Sequence, residues 1–400
     1  MDRQIRQIEK KDYEKAARIK AQSYMPQYSR AAAVEEYIES FQAASKMKRN
    51  LIFVYCEGDE VYGVFTFHVL EMNFYGRMLP VGALSGVAVD MARRREGIAA
   101  QMVYFFIEYC KKNALALAML QPYNPAYYKK AGFGWGAVKY EYTLPLSWLK
   151  EGAFDRVAID VAAPYEKMQE AHGRVAALTH GMCLFGELER YHFERDTAPE
   201  DMLIVYDKTG RPEGYALYQC EKDALYNPYE QTLEVDRLLA ASPQATAQLL
   251  AFFAAQKSQF RSIRFNVFDE SFYYHFNNLG QAEHRALANG YHAVGRTGMG
   301  LMYKVIDARA LLAKMPADGL SNKYVFALRD EAGQVEKVEW GEGEIQIIRL
   351  RQGDFVSWAM GCISMTSLWH KGLAEADRNA VKRLDQECSF REKPVCTSIF

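Results

Sequence analysis

Several patterns that mark common functional classes are absent from the sequence. No apolar run approaches the roughly 20 residues that a membrane-spanning helix needs. The N-terminal stretch is rich in charge and contains no apolar signal-peptide core. The formal net charge is only −1, so no global field would gather nucleic acid or an acidic membrane. We therefore expect no membrane or nucleic-acid partner, and any anion-binding site must be local.

The cysteine and histidine patterns do not indicate a bound metal. The seven cysteines are scattered and include no CxxC pair, which is typical of reduced thiols in a cytoplasmic protein. The eight histidines show no metal-ligand spacing. We expect a cytoplasmic protein without a metal cofactor.

The chain of 400 residues is too long for one ordinary core and predicts two or three domains. Strand-like and helix-like segments alternate in the first part, an order that implies parallel pairing within a mixed sheet. The pattern divides the chain into residues 1–145, 146–292 and 293–400. No low-complexity tract or long linker separates these parts, so we expect them to pack closely.

The second part contains an echo of the first. The segment LIVYDKTGRPEGYALYQC (203–220) parallels LIFVYCEGDEVYGVFTFH (51–68). Further on, LEVDRLLAASPQATAQ stands where the first part has VAVDMARRREGIAAQ. The strand and the helix survive there, but the arginines and the glycine do not. The sequence therefore predicts a duplicated domain of which only the first copy uses the arginine-rich loop.

That loop has the chemistry of a pyrophosphate site. A helix N-terminus presents unpaired N–H groups and a partial positive charge. A glycine at this point allows a phosphate to approach the backbone, and arginines add charge. The relevant residues are Arg94, Arg95, Gly97, Ile98 and Ala99. A dinucleotide fingerprint and a P-loop are both excluded, since neither GxGxxG nor GK[ST] is present here. A solvated charged turn explains the loop equally well.

The context resembles the GNAT acyltransferases, whose pyrophosphate motif is Arg/Gln-x-x-Gly-x-Gly/Ala after a strand. Here it is found at Arg94, Gly97 and Ala99. The buried strand ALALAML and the tyrosine segment PAYYKKAGFGW follow in the family's order. The resemblance implies acetyl-CoA as co-substrate, with contacts from Val87, Ala88, Val89, Arg94, Arg95, Gly97, Ile98, Ala99, Tyr123 and Asn124. A turn role for Asn124 before Pro125 is equally consistent with the sequence.

The full length resembles the enhanced intracellular survival (Eis) family of N-acetyltransferases. Four features carry the resemblance: VAVDMARRREG, YYKKAGFGW, MYKVIDARALL and a final phenylalanine. It implies a mixed α/β (α+β) fold with tandem GNAT-like domains, 1–145 catalytic and 146–292 degenerate, followed by a sterol-carrier-protein-like domain, 293–400. It also implies a homo-oligomer, by family a hexamer, and acceptor amines of the aminoglycoside, polyamine or lysine class. Pro26 aligns with an aspartate of the family, which weakens the case for aminoglycosides.

Acetyl transfer needs an acid for the departing thiolate and help in removing a proton from the amine. Tyr128 matches the family's catalytic tyrosine and is protonated at neutral pH. Its neighbour Tyr127 is the rival, although one helical step turns it about 100° away. Both tyrosines would also suit simple packing. The resemblance assigns the role of base or positioner to the terminal carboxylate of Phe400. The alternative function is a non-catalytic acyl-CoA or lipid sensor built on the same domains.

Overall fold

The computed structural model describes residues 3–24, 30–47, 51–159, 161–220, 231–279 and 293–398. Its strands, in chain order, are β1 (Arg3–Gln7), β2 (Ile52–Glu57), β3 (Glu60–Phe74), β4 (Arg77–Val89), β5 (Leu117–Leu120), β6 (Gly134–Trp135), β7 (Val138–Pro145), β8 (Val157–Ala158), β9 (Met202–Tyr206), β10 (Pro212–Cys220), β11 (Thr232–Ala240), β12 (Ser262–Val267), β13 (Arg296–Met299), β14 (Met302–Val305), β15 (Asn322–Arg329), β16 (Val335–Trp340), β17 (Glu344–Arg351) and β18 (Ala374–Glu375).

The α-helices, in the same order, are α1 (Tyr13–Tyr24), α2 (Arg30–Ser45), α3 (Ile98–Lys112), α4 (Pro125–Lys129), α5 (Pro164–Leu178), α6 (Glu187–Asp196), α7 (Pro243–Ala254), α8 (Ala308–Leu312), α9 (Gln352–Ala359), α10 (Met365–His370) and α11 (Arg378–Glu387). No helix in the described part of the chain is long and apolar enough to cross a bilayer.

Two seven-stranded sheets share one topology. The first has the order β1-β2-β3-β4-β5-β14-β6, and the second reads β8-β9-β10-β11-β12-β7-β13 in the same direction. Parallel pairing occurs once in each, between β4 and β5 and between β11 and β12. The predicted mixed α/β fold with two tandem domains of one topology is confirmed.

The two sheets exchange one strand each. The sixth position of the first sheet holds β14, which follows the second domain in the chain, between β5 and β6. The sixth position of the second sheet holds β7, which follows directly after β6. The domain limits 1–145, 146–292 and 293–400 stay a prediction. The sheets cross them at β7, β14 and also β13, which lies after residue 293 but pairs with β7 in the second sheet.

Helix α3 covers one face of the first sheet because its apolar residues recur on one side. Ile98, Met102, Phe106 and Cys110 are all buried. Glycines in the sheet allow the close approach: a Cβ on Gly82 would lie 2.5 Å from Cys110 Sγ. Helix α1 lies on the opposite face, in a core that includes Ile52, Val54 and Val64 of β2 and β3.

The last part of the chain forms a four-stranded sheet in the order β16-β15-β17-β18. Its apolar residues, such as Phe326 and Trp358, belong to the same buried cluster as Val81 and Leu117 of the first sheet. The first sheet and this last unit therefore share a continuous core, as expected for parts without a linker.

Candidate active site

A cleft opens in the first sheet where β4 and β5 separate. The two strands pair only over Val81–Leu84 and Leu117–Leu120. Beyond Leu84, β4 continues to Val89 with β3 as its neighbour on one side only. The backbone of Val87, Ala88 and Val89 therefore has an edge free of strand pairing.

A bulge in β4 marks the beginning of this cleft. The register with β3 shifts between Val64 and Thr66, and Gly86 has a φ of 57°. Such a left-handed backbone is strained for residues with a Cβ and ordinary for glycine. The phenol of Tyr24, at the end of α1, donates a hydrogen bond of 2.7 Å to the Val87 carbonyl. The bulge thus fixes the backbone at the mouth of the cleft.

The three arginines of the loop have different surroundings. Arg93 is bound by the protein itself, because its guanidinium pairs with Glu57 at 3.1 Å and Glu96 at 2.8 Å. It also lies 4.2 Å from the centre of the Tyr62 ring. Arg94 and Arg95 are exposed, and the Arg94 guanidinium lies 3.5 Å from the Ser23 hydroxyl.

The N-terminus of α3 is open toward solvent. Gly97 occupies the N-cap position with a φ of 80°, and no side chain caps the helix. A Cβ on Gly97 would meet nothing within 4 Å. The first amide that bonds back along the helix is that of Gln101, to the Gly97 carbonyl. The N–H groups of Ile98, Ala99 and Ala100 are therefore the orphan donors that an anion can use.

The two residues between β5 and α4 that were predicted to contact the cofactor have different surroundings. Asn124 is the N-cap of α4, and its side-chain oxygen accepts the Tyr127 N–H at 3.4 Å. This is the turn role that the sequence left open. Tyr123 is 93% exposed, so it makes no packing contribution and is available to a ligand at the surface.

The two tyrosines of α4 differ in their surroundings. The hydroxyl of Tyr127 is buried and has no hydrogen-bond partner among the described residues. Tyr128 packs edge to face on Phe133, with ring centres 6.0 Å apart. Burial, followed by the neighbouring phenols of Tyr24 and Tyr127, raises the pKa of Tyr128 well above its usual range. Its hydroxyl is therefore protonated at neutral pH.

A cavity of about 450 Å³ lies beside the bulge, on the face of the sheet covered by α1 and α2. Ser85 and Gly86 of β4 form part of its wall, and α6 of the second domain contributes Glu189 and His192. The cavity also contains Lys20 and His68. It is the space from which an acceptor can reach the cleft.

A second cavity, of about 360 Å³, adjoins the first and receives the chain's last described residues. Both cavities are lined by Phe193, Asp196 and Thr197. Gln121, directly after β5, and Ser398 lie on the wall of the second cavity. The guanidinium of Arg237 donates to the Thr397 carbonyl. Phe400 and Pro26 lie outside the described residues.

Sequence reasoning missed Lys20, Tyr24 and the wall provided by α6. Lys20 and Tyr24 extend the buried stripe of α1 that includes Ala16, at the i, i+4 spacing of one helix face. A lysine in such a stripe is a signal that could have been noticed. The contribution of α6 comes from another domain, so no local pattern announces it.

Two family models match the chain. Residues 4–136 match an acetyltransferase (GNAT) domain, and residues 186–290 match a second acetyltransferase (GNAT) domain. No curated protein sequence matches the chain.

Solved structures with the same fold cover the whole chain at low sequence identity. A GCN5-related N-acetyltransferase from Anabaena variabilis is 15% identical with a TM-score of 0.77, and each chain is covered fully. A probable N-acyltransferase from Enterococcus faecalis is 15% identical with a TM-score of 0.76, again with full coverage of both. Eis1 from Mycobacterium abscessus is 16% identical with a TM-score of 0.73 and the same coverage. The chain is therefore an acyltransferase that contains two GNAT acetyltransferase domains.

Proposed function

We propose that the protein transfers the acetyl group of acetyl-CoA directly to a primary amine, and that only the first domain catalyses the reaction. One observation carries the proposal. The open N-terminus of α3 and the unpaired edge of β4 border one cleft. The phenol of Tyr128 interacts there with that of Tyr24, which bonds to Val87 at this edge and also lines the 450 Å³ cavity.

Acetyl-CoA would lie along the cleft in one direction. Its diphosphate meets the N–H groups that begin at Ile98 and the charges of Arg94 and Arg95, since helix N-termini favour anions. The pantetheine arm then runs back along β4, pairing with the backbone of Val87–Val89. Tyr123 contacts the cofactor at the surface, while Asn124 holds the turn. This course brings the thioester beside Gly86.

The amine attacks the thioester carbonyl, the carbon–sulfur bond breaks, and the thiolate leaves. Tyr128 donates its phenolic proton to that thiolate as it forms. Burial raises the pKa of Tyr128, so the phenol carries its proton at neutral pH before the reaction begins. The amine loses its own proton in the same step, so a base or a selective site for the neutral amine is needed.

We assign that second role to the carboxylate of Phe400. The chain is packed as far as Ser398, which is 8% exposed, and Cys396 is buried beside it. The cavity lined by Ser398 also contains Gln121, at the end of β5. Two more residues extend at most about 7 Å, a reach that supports a carboxylate near the acceptor. It would accept the amine proton through water or hold the ammonium form in place.

The remaining features of the proposal follow the Eis resemblance. They are an acceptor of the aminoglycoside, polyamine or lysine class, a sterol-carrier-like last domain, a cytoplasmic location and a homo-oligomer such as a hexamer. Size-exclusion chromatography with light scattering tests the last of these, because a monomeric mass would exclude a hexamer.

The central experiment combines binding and turnover. Calorimetry with acetyl-CoA measures the number of sites per chain, which we expect to be one. Release of free thiol with spermine, tobramycin and amino acids then reports transfer. Binding without thiol release from any amine would support the alternative, a non-catalytic acyl-CoA sensor.

The role of Phe400 has its own test. Adding three alanines after Phe400 should abolish most turnover, because the carboxylate is then displaced from the cleft. The same extension at the N-terminus serves as the control. Full activity of the C-terminally extended protein would remove Phe400 from the mechanism.

A further inference from the structure

The cavity on the acceptor side contains a cation that the proposed transfer chemistry does not use. Lys20 projects from α1 to the bulge of β4, where a Cβ on Gly86 would lie 2.7 Å from the Lys20 Nζ. The Nζ is 3.4 Å from the Thr66 hydroxyl. Lys20 therefore stands at the point where the thioester is expected.

No carboxylate of the described residues forms an ion pair with Lys20. Its other neighbours are the rings of Tyr37 and Phe41, whose centres lie 5.3 and 5.7 Å from Nζ. Burial lowers the pKa of Lys20 to about 8, so the amine is still mostly charged at neutral pH. A charge removed from water without an opposite charge is unfavourable, and a bound anion would relieve that cost.

The histidines and carboxylates that line the cavity do not supply a negative charge beside Lys20. Burial, together with the charge of Lys20, lowers the pKa of His68 to about 3, and burial lowers that of His192 to about 4. Both rings are neutral at pH 7. Asp196 pairs with Arg195, and Glu189 is buried on α6 at the second-domain wall. Lys20 thus leaves a local excess of positive charge beside the bulge.

We propose that the acceptor is an α-amino acid, whose carboxylate pairs with the Lys20 ammonium and accepts a hydrogen bond from Thr66. This rests on the proposed acetyl transfer at the same cleft. Lys20 and the thioester share one end of the cavity, so the carboxylate and the reacting amine of the acceptor must be close together. An α-amino acid has them on one carbon, and its side chain extends into the rest of the cavity.

The test uses pairs of acceptors that differ only by the carboxylate: phenylalanine with 2-phenylethylamine, leucine with 3-methylbutylamine, and arginine with agmatine. Each contains a single primary amine. We expect kcat/KM to be about 10- to 100-fold higher for the amino acid of at least one pair, the range for a hydrogen-bonded charge pair.

Substitution of Lys20 separates anchoring from other roles. Lys20→Met should lower kcat/KM for the amino acid by about 10- to 100-fold and leave that for the matched amine within about twofold. Lys20→Arg keeps the charge and should restore part of the preference. Lys112→Met, at the exposed end of α3, is the control. Circular dichroism melts verify that each variant is folded.

Two results would overturn the proposal. If Lys20→Met lowers the rate with both members of every pair equally, Lys20 acts on the reaction or on another carboxylate, such as that of Phe400. If the amines are better acceptors than the amino acids and Lys20→Met changes nothing, the cavity does not bind a carboxylate.

Failure of acetyl transfer itself is distinguishable. If no amine releases thiol, calorimetric titration of the free amino acids into wild-type and Lys20→Met protein decides the question. Binding that weakens at least tenfold in the variant would support the carboxylate site even without turnover. Absence of binding to the wild type would refute it.

Discussion

The two GNAT domains differ most where the bulged strand meets its helix. In the first domain, residues 90–97 connect β4 to α3. In the second, β11 ends at Ala240 and α7 begins at Pro243, so only two residues intervene. The Ser242 hydroxyl caps that helix by accepting the Ala245 N–H at 3.1 Å, and Pro243 has no N–H to offer. The N-terminus of α3 is thus open to an anion, whereas that of α7 is capped by the Ser242 hydroxyl.

The clefts also differ in what lies beside the bulge. Strand β4 pairs with β5, and β11 pairs with β12, over four residues each. Beyond those residues, β4 and β11 continue without a neighbour on that side in the described part of the chain. The first bulge contains Gly86, and because it has no Cβ the Lys20 ammonium can approach its backbone closely. Near the second bulge, Arg237 donates to the carbonyl of Thr397 in the C-terminal segment. One copy of the fold keeps an accessible cleft, and the other contacts the end of the chain.

The comparison shows how a duplicated fold can divide its tasks. The strands, the bulge and the helix suffice for the fold in both copies. Charge, glycine and an uncapped helix are needed only where a diphosphate is to be bound. The second copy supplies a wall of the acceptor cavity through α6 and a contact for the C-terminal segment through Arg237.

The largest expected difference between the domains concerns their paired tyrosines. Tyr128→Phe should reduce kcat by about 100- to 10,000-fold, the range for loss of a general acid, with little change in acetyl-CoA affinity. Tyr274 follows β12 in a short turn at the corresponding point of the second domain and is 73% exposed. Tyr274→Phe is therefore the matched control. Steady-state kinetics and calorimetry measure both, and an unchanged kcat in Tyr128→Phe would exclude Tyr128 as the acid.

The arginines of the loop should differ in effect: Arg94 and Arg95 in acetyl-CoA binding, and Arg93 in stability. The double change Arg94→Ala and Arg95→Ala should raise the KM for acetyl-CoA by about 10- to 100-fold, since we expect the two exposed charges together to contribute about 1.5–3 kcal/mol. The melting temperature should stay unchanged.

Arg93→Ala should instead lower the melting temperature, because it removes the ion pairs with Glu57 and Glu96 and leaves Glu57 ion-paired with Arg3 alone among the described residues. Equal effects of the double change on acetyl-CoA and on the acceptor amine would indicate general distortion rather than loss of a diphosphate site.

A smaller effect is expected at the first helix N-cap. Gly97→Ala places a side chain at a φ of 80°, which costs about 1–3 kcal/mol of stability. The added methyl also lies where the diphosphate would approach, so the KM for acetyl-CoA should rise. Kinetics and thermal melts together test this. A lower melting temperature with an unaltered KM would mean that Gly97 serves only the backbone.

The smallest functional effect is expected at the second helix N-cap. Ser242→Ala removes the bond to the Ala245 amide and should cost about 1 kcal/mol of stability, measured by urea unfolding. Acetyl-CoA affinity should not change, because the proposed binding site lies at the N-terminus of α3 and not at that of α7. A weaker KM for acetyl-CoA in this variant would contradict the division of tasks between the domains.

Local patterns were sufficient to predict the first strand–loop–helix unit. The structure begins α3 at Ile98, as predicted, because an apolar helical stripe follows the glycine directly. The repeat was also visible, because the corresponding strands of the two domains show the same alternation of apolar and polar residues. The order of these elements predicted a mixed sheet, the family resemblance implied the tandem GNAT-like domains, and this fold class is confirmed.

Long-range contacts could not be predicted in this way. The exchange of β7 and β14 depends on which of two similar sheets each strand joins, and both sheets offer an antiparallel edge of the same kind. The acceptor cavity depends on α1 and α6, which lie far apart in the chain. The different roles of three adjacent arginines depend on Glu57, a residue that only the sheet brings near the loop.

The most direct test of the central claim is a crystal structure of the protein with coenzyme A. We predict one molecule per chain, its diphosphate about 3 Å from the N–H groups at the start of α3 and near Arg94 and Arg95, and its thiol beside Gly86 and Tyr128. A diphosphate bound in the second domain, near Ser242, or no coenzyme A in the cleft between β4 and β5 would contradict the account.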